Sequence, residues 1–244
     1  MIRLSPSRFH LLLIFIYVIS QNTIAFSAVK PHTITFGKWT SVQWFAESNA
    51  DNKEENAKPI ALKVRPLLID ARVKEFTLGP PHDVTDRLFV IRRAFCVNDS
   101  LPEESGSSPH WQWQRGGWLL VDRVTARISP VNLTEFDAQY SSVSWYRDYA
   151  AYCGLSDDGK KIYAVVAQIN RRKPVLKKLL EGAAMQDEEI KIPAPDPICP
   201  APVWQRSPAR VSFAPTNAAK QTFAIRGHVV DPITEEEDEE EGEK

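Results

Sequence analysis

One short run, holding Trp111, Trp113, Arg115 and Trp118, offers the clearest chemistry in the chain. Tryptophan with arginine suits the centre of a partner interface, and flat indole faces also stack on sugar rings. A second group, Trp145, Tyr146, Tyr149 and Tyr152, encloses Arg147 and Asp148. Two readings follow. Trp111, Trp113, Arg115, Trp118, Tyr146 and Arg147 form a binding surface, or the tryptophans fill the space between sheets with their indole N–H groups bonded internally.

Signals for catalysis are weaker. Asp86, Asp122, Asp148 and Glu135 supply carboxylates, but glycoside hydrolysis needs a pair held about 5–9 Å apart, which sequence does not place. Gly154-Leu155-Ser156-Asp157-Asp158-Gly159 is one residue too long for the strained serine turn of a common hydrolase type, and reads as a hairpin turn. Phosphate-cradling glycine loops, His-Glu-x-x-His and calcium-loop spacing do not occur. Asp157-Asp158 lacks the alternating ligands of a calcium loop. Outside the first segment His32, His82, His110 and His228 each stand without a second histidine or cysteine at ligand spacing. The expectation is no catalytic residue, no metal and no cofactor. Asn98-Asp99-Ser100 and Asn132-Leu133-Thr134 match the glycosylation sequon.

The elements that must position these side chains are strands. Thr33–Phe36, Ser41–Phe45, Leu62–Ile69, Val73–Leu78 and Leu88–Val97 are short runs of β-branched and aromatic residues bounded by Pro, Gly, Asp and Asn. Residues 47–58 and 101–110 read as polar loops. Gly116-Gly117 suits a two-residue hairpin turn, which would put Trp111, Trp113, Arg115, Trp118 and Leu120 on one face. Tyr149–Leu155 and Lys161–Gln168 form a second hairpin around Ser156–Lys160. Residues 175–187 suit a short helix weakened by Gly182, the proline-rich stretch 192–203 an extended linker, and Ala209–Phe213 and Gln221–Val230 the last strands. No long amphipathic helix is present.

WLLVDRVTAR and LSDDGKKIYAVV resemble pieces of β-propeller blades, in which Asp-x-x-Thr-Gly and Ser-x-Asp-Gly turns link neighbouring strands. The resemblance spans about residues 118–168, and Ala126 stands where the blade pattern has glycine. It implies an all-β fold of antiparallel sheets, an irregular propeller-like arrangement or a sandwich with similar hairpins. No repeat of about 40–50 residues runs along the whole chain.

Location and charge bound the function. Arg3 and Arg8, the apolar run Phe9–Ile19 and the small residues Ala25 and Ser27 have the form of a secretory signal, with cleavage expected after Ser27 or, alternatively, Ala25. The apolar run is near half the roughly 20 residues needed to span a bilayer, so no stable membrane insertion is expected after cleavage. Three cysteines, Cys96, Cys153 and Cys199, then meet an oxidising compartment. A Cys96–Cys153 disulfide is expected because two strands of one sheet can hold cysteines at bonding distance.

The formal charge is −1, from 30 basic and 31 acidic residues. Residues 235–244, EEEDEEEGEK, hold eight of the acids and one lysine, and the signal holds two arginines; 27 basic and 23 acidic residues remain between them, a net of +4. That balance is too mild to argue for nucleic acid as a partner. The acidic run repels itself and is expected to be a disordered tail.

The organisation expected is a signal peptide over 1–27, one all-β domain over 28–233 and an acidic tail over 234–244. The function expected is a non-enzymatic binding or structural module that recognises a protein or glycan in the periplasm or outside the cell. The alternative is a periplasmic or secreted hydrolase using loop carboxylates. A third possibility is self-association of the tail with the basic cluster Arg171, Arg172, Lys173, Lys177 and Lys178.

Overall fold

The computed structural model describes residues 31–44, 60–98, 111–180, 199–215, 219–226 and 229–233, with backbone alone at 60 and 229–233. The expected signal peptide, the acidic tail and the loops at 47–58 and 101–110 lie outside the described residues, as does most of the proline-rich stretch. The described strands fall in one unit, His32–Lys244. It is all β, and no helix occurs among the described residues.

The first sheet contains β1 (Ile34–Phe36), β2 (Thr40–Trp44), β3 (Ile60–Ile69), β4 (Arg72–Asp83), β5 (Leu88–Asn98), β6 (Trp111–Asp122) and β7 (Ile128–Val131). β2 to β6 run as an antiparallel meander, and a single parallel bridge, Trp44 to Trp113, returns from β6 to β2. The pairings therefore close into a ring, with β1 added on β3 and β7 on β6. Register shifts interrupt β3–β4 after Leu67, β4–β5 after Leu78 and β5–β6 after Arg92. Such bulges add local twist and bend a sheet. Two apolar clusters lie within this sheet: Trp44, Leu62, Val64, Leu78 and Ala94 in one, and Leu67, Phe89, Ile91, Leu119 and Val121 in the other.

The second sheet is a four-stranded antiparallel meander of β8 (Ser144–Tyr146), β9 (Tyr149–Leu155), β10 (Ile162–Gln168) and β11 (Leu176–Leu179). The third repeats that plan with β12 (Val203–Arg206), β13 (Ala209–Phe213), β14 (Gln221–Arg226) and β15 (Val229–Ile233). Alternate residues of both sheets meet in one core, where Ala151, Val166, Val211, Phe213 and Phe223 are buried. Side chains alternate between the faces of a strand, and the intervening residues of β9 and β10, Ala150, Tyr152, Val165 and Ala167, are buried in a separate cluster.

Two turns form as their residues predict. Ser156 Oγ donates to Asp158 at 2.5 Å, and Gly159 takes φ +71°, closing the β9–β10 hairpin. Asp122 Oδ1 accepts from the backbone N–H groups of Val124 and Thr125 at 2.8 and 3.2 Å. Ala126 there holds φ +55°, the left-handed geometry for which the blade pattern uses glycine.

Four expectations are corrected. Gly116-Gly117 is not a hairpin turn: β6 pairs with β5 from Asn98–Trp111 to Leu88–Asp122. β5 is long enough to offer a ladder to both halves of β6, so the chain gains more backbone bonds by running straight. The glycine serves close approach instead, since a Cβ on Gly116 would lie 3.1 Å from Arg93 Cβ and 3.2 Å from the Arg93 carbonyl oxygen. The disulfide joins Cys153 to Cys199, with Cα atoms 6.2 Å apart, not Cys96 to Cys153. Cys96 is free on β5 of the first sheet, whereas Cys153 is on β9 of the second. Finally, residues 176–179 of the expected helix form strand β11, which pairs with β10; Gln221–Val230 likewise divides into β14 and the start of β15.

Candidate functional site

A cleft among the described residues begins with a defect in β4. Gly79 takes φ +64°, and Pro80-Pro81 follow without an N–H to donate to a ladder. Pairing with β5 lapses between Leu78 and His82. A cleft of about 760 Å³ opens there, with Gly79, Pro80 and Pro81 on one wall and Arg92, Arg115 and Trp118 on β5 and β6 among its other lining residues. The segment 142–145, leading into β8, closes another side.

Aromatic packing fixes this shape. Trp118 meets Trp145 edge to face at 5.2 Å. The His82 ring stacks on Trp145 at 5.9 Å, with an interplanar angle of 21°. His82 Nε2–H donates to the Arg147 carbonyl at 2.8 Å, tying β4 to the turn between β8 and β9. Both Trp118 Nε1 and Trp145 Nε1 are buried without a hydrogen-bond partner. Buried donors of this kind normally find an acceptor in protein, water or ligand.

The charges in the cleft are positive. Arg92 is largely buried; its guanidinium donates to the carbonyls of Ala138 and, at 3.4 Å, Gly116. Burial, reinforced by repulsion from Arg115 and partly offset by Asp137, pushes its pKa down to about 10. Arg115 packs its guanidinium 3.9 Å above the Trp44 ring, and burial lowers its pKa as well. Lys63 stands at the rim. Among the described residues, no aspartate or glutamate lines the cleft. Two guanidiniums facing one cleft, with Asp137 offsetting part of the charge on Arg92, create a field that an anion would relieve.

The residues read from the sequence therefore separate. Arg115 and Trp118 come together in the cleft. Trp113 turns to the neighbouring cluster and meets Phe76 edge to face at 5.1 Å. Trp111 is 63% exposed at the far end of β6. Tyr146 packs at 5.3 Å on Trp204, whose indole donates to the Ser144 carbonyl at 3.0 Å. Arg147 lies over Tyr146 and reaches the cleft wall only through its carbonyl bond to His82.

Sequence reasoning did not select Arg92, Lys63, His82 and Trp145 for the site. The available signal was Gly79-Pro80-Pro81 inside an otherwise strand-like run, a marker of a bulge.

Three of the four carboxylates considered for hydrolysis, all but Asp86, are held by other side chains. Asp122 binds Arg87 at 2.5 Å, Glu135 binds Lys177 at 2.6 Å, and Asp148 accepts from Gln168 Nε2 at 2.7 Å. The Arg87 hydrogen bond holds the Asp122 carboxyl well below the usual carboxylate range. Among the described residues, no group of three or more His, Cys, Asp or Glu is placed to hold a metal ion. Comparison with protein-family models, curated proteins and solved structures found no match.

Proposed function

We propose that this chain is an exported, non-enzymatic binding module whose cleft recognises an anionic glycan, with carboxylate or sulfate groups on its sugar rings. The observation that carries this reading is the pairing of two guanidiniums, Arg92 and Arg115, with the ring pair Trp118–Trp145 in one cleft. The cations suit the acidic group, and the aromatic walls suit the apolar faces of a sugar. Export rests on the basic, apolar and small-residue pattern of the first 27 residues. The architecture we associate with this reading is propeller-like, because β8–β11 and β12–β15 are successive four-stranded meanders and the blade-like turns fall at β6–β7 and β9–β10.

The test is calorimetry on the mature protein with oligogalacturonate, a heparin oligosaccharide, neutral cello-oligosaccharide and hexaglutamate. The reading predicts binding of at least one anionic glycan, weakened by salt and absent with the neutral chain. Tighter binding of hexaglutamate would replace the glycan with an acidic peptide. Binding of none would remove the proposal. The two glycan arms separate carboxylate from sulfate recognition.

A further inference from the structure

A second hollow, of about 560 Å³, adjoins the cleft: Trp39 and Ser41 line it, and it shares Lys63 and Gly79 with the first. The wall between them is low at Gly79, where a Cβ would meet nothing within 4 Å. Lys63 stands at the junction and offers a cation to both spaces.

Trp39 is unusual among the tryptophans in being held firmly while remaining open. It is 46% exposed. The Arg65 guanidinium is sandwiched between the Phe36 ring, at 4.1 Å, and the Trp39 ring, at 4.4 Å. Arg65 Nη2 also donates a long hydrogen bond, 3.5 Å, to the Gly79 carbonyl. Its Nε is buried without a partner. One indole face is thus backed by a cation, while the ring borders a hollow that shares Lys63 and Gly79 with the cleft. A backed, immobilised aromatic ring presents contact area at low entropic cost.

We propose that the two hollows form one groove for an extended anionic polysaccharide, in which Trp39 is a stacking platform for sugar units beyond those held at Arg92 and Arg115. This deepens the glycan reading and rests on it: the arginine end supplies charge recognition, Lys63 carries the acidic chain across Gly79, and Trp39 supplies length dependence. An isolated anion or a monosaccharide would use only the first part.

The experiment compares oligogalacturonates, from disaccharide to octasaccharide, on the wild-type protein and on Trp39→Ala, Trp39→Phe and Arg115→Met. The expected result is affinity that rises with chain length in the wild type. Trp39→Ala loses roughly fivefold to tenfold for the octasaccharide, as one aromatic contact implies, and little for the disaccharide. Trp39→Phe, which keeps a ring, recovers part of that loss. Arg115→Met weakens every length. Affinity independent of length, with Trp39→Ala equal to wild type, would overturn the extended groove while leaving the cleft reading intact. If no anionic oligosaccharide of any length binds, both fall. Native circular dichroism of Trp39→Phe keeps the comparison valid even if Trp39→Ala misfolds.

Discussion

The cleft of the first sheet and the core shared by the second and third sheets are built on opposite terms. In the shared core Val166, Val211 and Phe213 are fully buried, and the Cys153–Cys199 disulfide crosses the same cluster. The buried hydroxyl at its edge is satisfied: Ser141 Oγ donates to the Cys153 carbonyl at 2.8 Å and accepts from Asp137 N–H at 3.2 Å. In the cleft two guanidiniums repel one another, two buried indole donors lack acceptors, and β4 breaks its ladder at Gly79–Pro81. The contrast shows where structure alone explains the residues and where it does not. The core is closed by apolar burial, although Gln168 Oε1 and Gln221 Oε1 on its sheets also lack partners. The cleft instead gathers two guanidiniums with two indole N–H groups that have no partner among the described residues.

Substitutions in the two regions should accordingly differ in kind. The largest expected effect is Phe213→Ala, about 3–5 kcal/mol of lost stability from transfer and cavity terms, read as a fall in the chemical denaturation midpoint. Anionic glycan binding should survive at temperatures where the variant remains folded. Next comes Cys153→Ala with Cys199→Ala, expected to remove about 2–4 kcal/mol in a thermal melt, again without changing affinity at the cleft. A parallel loss of affinity in either variant would break the separation between the two regions.

A smaller effect lies at the β6–β7 turn. The Asp122 carboxyl is held below the usual range chiefly by its hydrogen bond to Arg87, with the Val124 and Thr125 N–H groups adding to it. Its folded pKa is depressed, so its contribution to stability is present above the unfolded value of about 3.9 and is lost as pH falls below that toward the folded pKa. Asp122→Asn should lower the urea midpoint at neutral pH, and its midpoint should fall less steeply than the wild type's below about pH 4. Parallel pH curves would contradict the assignment. The smallest effect is expected from Trp111→Ala: at 63% exposure and outside both hollows, it should change stability by less than about 0.5 kcal/mol and leave glycan affinity unaltered.

The strands and the cleft were not equally legible. Tyr149–Leu155 and Ala209–Phe213 match the observed β9 and β13 end to end, because a continuous apolar run in the first, alternation in the second, and turn-forming neighbours act locally. The all-β class followed from the same signals. Gly116-Gly117 misled because glycine serves a hairpin turn and a close backbone approach equally well, and only the length of β5 decides between them. The disulfide was hidden for a similar reason: Cys199 sits in a proline-rich stretch, and its position beside Cys153 depends on the packing of two sheets. Of the cleft, Arg115 and Trp118 were found through their neighbours in sequence. Arg92, His82 and Trp145 come from separate strands, and no spacing rule links them before the bulge at Gly79 is in place.

The central claim is that the cleft arginines serve a ligand rather than the fold. Arg115→Met tests it most directly, with thermal stability and oligogalacturonate affinity measured on the same preparation. Removing one of two repelling, partly buried cations while keeping an apolar contact to Trp44 should leave the melting temperature unchanged or higher, and should weaken binding at least tenfold. A clear drop in melting temperature with affinity unchanged would make Arg115 a structural residue and contradict the account.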